Sequence, residues 1–156
     1  MIRQEGVQVR ELVLVDGVRP ADVVRVHREA LRVLRSSIDA AHIDAYSGDA
    51  WPPEVLHSYE RALLLARGEV VRGSRSRRAD PGMGIDIDVR DDEQFEVLSD
   101  LVPYTIHAEG WLEGRLVFSA SDTGTALWIE VTREQEAALL SRLGLLGIPS
   151  EMRSPS

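Results

Sequence analysis

Between Tyr104 and Val131 the chain reads as three strands in close succession, Tyr104 to Leu112, Arg115 to Ala120 and Ala126 to Val131. The last two are separated by Ser121-Asp122-Thr123-Gly124, a turn sequence that folds neighbouring strands back on each other as a hairpin. Thr132-Arg133-Glu134-Gln135 follows at once and matches a capping box, in which the threonine hydroxyl and the glutamine side chain satisfy each other's backbone N–H groups. Ala137, Ala138, Leu139, Leu140 and Leu143 then continue a closing helix to Gly144. A run of antiparallel strands ending in a helix points to a largely antiparallel sheet with that helix packed on it, and the N-terminal half must fit around it.

In that half, Val7 to Val15 predicts a strand ending at Asp16-Gly17. Pro20 suits a first helical turn, and Val24, His27, Leu31, Leu34, Ile38, Ala41 and Ala45 recur at spacings of three and four, forming one apolar stripe. A second helix is expected from Trp51-Pro52-Pro53-Glu54 to a stop at Gly68, close enough to the first to form a helical hairpin. The stripe of that hairpin fits a core or a homodimer interface alike. A short strand is expected at Glu69-Val70-Val71, a half-buried strand at Ile85 to Val89, and a brief helix from Asp92 to Leu101. The sequence thus predicts a single α+β domain over residues 1–148, with a mixed, largely antiparallel sheet, an N-terminal helical hairpin and a C-terminal helix packed on the sheet. Residues 72–84, rich in arginine and glycine, are expected to form a mobile loop, and residues 149–156 a flexible tail.

Composition removes whole classes of chemistry. There is no cysteine, hence no disulfide, thiolate zinc site or thiol nucleophile, and a reducing cytoplasm is the expected setting. There is also no lysine, which excludes a Walker-type phosphate loop and Schiff-base catalysis. Asparagine is missing as well, and this pairing beside abundant Arg, Ala, Val and Gly points to a GC-rich bacterial genome. A net charge of -8 opposes nucleic acid and favours a basic or neutral protein partner. No apolar run approaches the ~18 residues needed to span a bilayer.

One stretch carries catalytic logic. Gly73-Ser74 is followed, after Arg75, Arg77 and Arg78, by Asp86-Ile87-Asp88, two carboxylates on one side of a strand. The pattern resembles the signature of the polymerase-β-like nucleotidyltransferase superfamily over residues 69–89. The resemblance implies that Gly73, Ser74 and Arg75 meet nucleotide phosphates, and that Asp86, Asp88 and a third carboxylate hold Mg²⁺, for which Glu130 is the candidate. The same two aspartates also fit the solvent side of an ordinary half-buried strand. His27, His42, His57 and His107 include no i, i+4 helical pair, so the spacing predicts no shared zinc site, and His27 falls in the apolar stripe as a core residue. Trp111, between Glu109 and Glu113, could grip a basic partner or pack in the core. The reading these features favour is a small acidic cytoplasmic domain without catalysis or cofactor, binding another protein as a bacterial immunity protein, antitoxin or adaptor does. The alternative is a Mg²⁺-dependent nucleotidyltransferase, active or degenerate.

Overall fold

The structure, a computed structural model, describes residues 8–48, 50–73, 82–148 and 152–155. Among the described residues, seven strands form one sheet: β1 (Val9–Leu14), β2 (Ala40–Ile43), β3 (Ile85–Ile87), β4 (His107–Leu112), β5 (Arg115–Ser121), β6 (Ala126–Thr132) and β7 (Met152–Arg153). Their order is β3-β2-β4-β5-β6-β1-β7, and every pairing is antiparallel. Four helices among the described residues accompany them: α1 (Pro20–Leu34), α2 (Leu56–Val71), α3 (Asp92–Leu101) and α4 (Arg133–Leu145). The fold is α+β, as the strand succession and the flanking helices predict. No helix among the described residues is long and apolar enough to cross a membrane.

Strand alternation builds the core. Ile85 and Ile87, Ala41 and Ile43, Phe118 and Ala120, and Leu127, Ile129 and Val131 point to one face and are buried. Against them lie Leu31 and Leu34 of α1, Leu98 and Leu101 of α3, and Leu139 and Leu143 of α4, in one continuous apolar cluster. The helices line up as α2-α3-α1-α4. Polar clamps join them: Ser58 Oγ donates to Asp100 Oδ2 at 2.6 Å between α2 and α3, and the Arg142 guanidinium reaches the buried Glu29 carboxylate at 3.1 Å between α4 and α1. The capping box forms as read, with Gln135 N–H on Thr132 Oγ1 and Thr132 N–H on Gln135 Oε1. Gln135 Nε2 also donates to Ser37 Oγ, tying the start of α4 to the end of α1.

The helical hairpin is corrected. α1 stops at Leu34, a 3₁₀ turn takes up Arg35–Ser37, and β2 lies between the helices, which are further separated by α3. Ile38, Ala41 and Ala45 are buried as the stripe required, but as strand and flank, because Ala41 and Ile43 alternate with His42. Pairing on both sides, to β3 and to β4, outweighs the helical propensity of that short Ala-rich run. The strand expected at Glu69-Val70-Val71 is the last turn of α2, which passes through Gly68 and ends where Gly73 takes φ +78°, a left-handed cap. Glu69 has a reason to be helical, since its Oε1 accepts the Asp86 N–H at 2.9 Å and satisfies a backbone donor of the edge strand β3.

Two segments expected to be loose are partly tied down. Of the loop at 72–84, residues 74–81 lie outside the described residues, while the Gly82 carbonyl accepts Ala45 N–H and the Gly84 N–H donates to Asp44 Oδ1. Of the tail at 149–156, Met152–Arg153 form β7 against β1, with Met152 buried. Met152 supplies an apolar anchor that the polar residues around it obscure. Residues 149–151 and 156 lie outside the described residues.

Candidate functional site

The face of the sheet opposite the apolar cluster holds the polar and aromatic half of each strand's alternation. One line of register partners crosses all seven strands there: Asp86, His42, Glu109, Ser119, Trp128, Val13 and Arg153. None of these residues is buried. Trp111 is level with Ala40 and Leu116, and Glu130 is paired with the exposed Glu11. A bulge between Gly110 and Trp111 shifts the β4–β5 register, so that Val117 and Phe118 are both buried while Leu116 comes level with Trp111. The open face therefore carries two tryptophans, Trp111 and Trp128, among carboxylates.

At one end of this face, β2 and β4 bring two histidines to one carboxylate. Glu109 is the register partner of His42, and His107 stands two residues before Glu109 on the same strand. Glu109 Oε1 lies 3.5 Å from His42 Nε2 and in close contact with His107 Nε2. The imidazole centroids are 6.1 Å apart and tilted by 38°, so the rings converge on the carboxylate instead of stacking. The three donor atoms lie within 4.8 Å of one another. All three side chains are accessible, Glu109 least at 19 %. The histidines form no i, i+4 helical pair, as the spacing predicts, yet His42 and His107 meet across strands, which helical spacing cannot detect. Half of it was readable, because His107, Glu109 and Trp111 alternate on one strand; His42 was hidden by its assignment to a helix.

The nucleotidyltransferase constellation is only partly assembled. Arg72, Asp86 and Asp88 line a cleft of ≈ 380 Å³ with Glu69 and Arg90. Gly73 follows Arg72 directly, but its positive φ is accounted for by the end of α2. Ser74 and Arg75 lie outside the described residues. Asp88 is engaged by Arg90, whose backbone N–H and then side chain hold its carboxyl below the ordinary aspartate range. Glu130 is elsewhere. It sits on β6, with three strands between it and β3, so four spacings of about 4.8 Å place it about 19 Å away. There its Oε1 lies 3.2 Å from the Arg115 guanidinium. Carboxylates that share metal ions must come within a few ångströms, and Glu130 does not reach Asp86 or Asp88.

Of the residues expected to grip a partner, Glu109 and Trp111 share the open face. Glu113 sits instead in the β4–β5 turn, where it and Gly114 both take positive φ, at 50° and 78°, as a tight two-residue hairpin turn requires. A cavity of ≈ 520 Å³ lies at the opposite end of the core, between the β1–α1 loop and Pro103, Tyr104 and Gly124, and its wall is mainly apolar. Comparison of the chain with family models, with curated proteins and with solved structures yields no significant match.

Proposed function

We propose that this chain is a small acidic binding domain that docks a basic or neutral protein partner on the open face of its sheet, in the manner of a bacterial immunity protein, antitoxin or adaptor. The observation that carries this reading is the one-sided sheet. Helices cover one face, and the other presents Trp111, Trp128 and Leu116 beside Glu11, Glu109 and Glu130. Aromatic side chains at the centre of a polar, acidic surface are the composition of binding hot spots, and a net charge of -8 steers basic surfaces toward them. Nucleotidyl transfer with Mg²⁺ takes second place because Glu130 lies too far from Asp86 and Asp88 to complete their set.

The test compares affinity capture by the wild type, by Glu11→Arg/Trp111→Ala on the open face, and by Glu93→Arg on the exposed side of α3. A partner kept by the wild type and the α3 variant but lost by the open-face variant, with hydrogen-exchange protection on β4 to β6 in the complex, supports the reading. A partner indifferent to the open-face changes sinks it.

A further inference from the structure

We propose that His42, His107 and Glu109 form a binding site for a divalent transition-metal cation of the zinc class, with its outer coordination positions left to water or to a partner's side chain. The inference rests on the convergence of His42 and His107 on Glu109, a geometry that the docking reading does not use even though Glu109 lies on the same face. A tetrahedral zinc ion with bonds of about 2.0–2.1 Å holds its ligand atoms about 3.3 Å apart. His42 Nε2 and Glu109 Oε1 already stand at 3.5 Å, and the whole set lies within 4.8 Å, inside the reach of small side-chain rotations.

The direction of the rings matters as much as the distances. Both imidazoles turn the same nitrogen, Nε2, toward the same carboxylate oxygen. A cation between them accepts both lone pairs and neutralises the carboxylate, with Nδ1 carrying the proton on each ring. The donors stand on neighbouring strands inside the sheet, where hydrogen bonding on both sides fixes the backbone, and not on loops. Two nitrogens and one oxygen suit zinc and its neighbours, whereas Mg²⁺ and Ca²⁺ take oxygen ligands. In a chain without cysteine, imidazole and carboxylate are the ligands available for such an ion. Three protein ligands leave at least one position open, and the exposed Asp86, register partner of His42, supplies the next carboxylate along the row.

The experiment uses untagged, chelator-stripped protein titrated with zinc chloride in a calorimeter near neutral pH, with imidazole ¹⁵N resonances followed in parallel. One saturable site per chain is expected, with shifts at His42 and His107 and none at the exposed His57 on α2. His42→Ala and His107→Ala should each weaken binding at least about tenfold, and His57→Ala should leave it unchanged. Glu109→Gln keeps the shape of the side chain and should weaken binding comparably, which separates loss of a ligand from loss of fold. Magnesium chloride should neither bind nor compete. Silence up to about millimolar zinc, binding that survives replacement of both histidines, or equal competition by Mg²⁺ would overturn the proposal.

Discussion

His27 predicts a pH dependence of stability that can be worked out from its surroundings. It lies on α1 with no exposed surface; its Nδ1 is 2.8 Å from the Val23 carbonyl, to which it donates, and its Nε2 has no hydrogen-bond partner among the described residues. A second proton would have to be placed on Nε2 inside the apolar core, so burial lowers the pKa from 6.5 to about 4, against a smaller opposing effect of the Val23 hydrogen bond. Above pH 6.5 the imidazole is neutral both folded and unfolded, and it contributes no pH dependence. As pH falls below 6.5 the unfolded chain takes up a proton that the native state refuses, so stability declines until about pH 4, where the native histidine also protonates. The interval from 6.5 to about 4 corresponds to ~3 kcal/mol. Urea unfolding of the wild type and His27→Leu across that interval isolates the effect, because the carboxylates common to both proteins cancel in the difference. The wild type should lose ~3 kcal/mol more than the variant on going from neutral pH to about 4. Parallel stability curves would refute the reasoning, as would a native His27 that titrates near 6.5 by NMR.

Two further substitutions test the architecture. Gly124 takes φ +99° in the β5–β6 turn, and a Cβ there would meet the Pro103 carbonyl oxygen at 2.5 Å, a backbone atom with no rotamer to escape into. Gly124→Ala should therefore lower the unfolding free energy by about 2–3 kcal/mol in urea melts. Thr132→Ala removes the hydroxyl that accepts the Gln135 N–H and should cost ~1 kcal/mol, seen as earlier fraying of α4 in hydrogen exchange.

The part of the fold that could be read directly is the part whose contacts are local. The β5–β6 hairpin and the capping box at Thr132 each depend on residues within a few positions of one another, and both formed as read. β2 could not be read this way. Ile38, Ala41 and Ala45 satisfy a helical spacing and a strand-and-flank arrangement equally well, and the choice is made by β3 and β4, which come more than forty residues later. The histidine pair inherits the same problem, since His42 meets Glu109 only once β2 has paired with β4. At Gly73, a residue that resembles a phosphate-binding turn serves to end a helix, because the positive φ that favours glycine is common to both uses.

The placement of β1 beside β6 governs how the protein can be made. Val9 pairs with Thr132, so this end of β1 lacks its β6 partner until another 123 residues have been added. At ~5–20 residues per second, that is a wait of about 6–25 s. Throughout it, Leu12 and Leu14 belong to an unpaired apolar strand, and Met152 arrives later still to close its other side. α1 and the β2–β4 pairing have time to assemble first. The nascent chain therefore carries Leu12 and Leu14 on a strand whose partners on both sides arrive late, which makes β1 the segment most exposed to mispairing during synthesis.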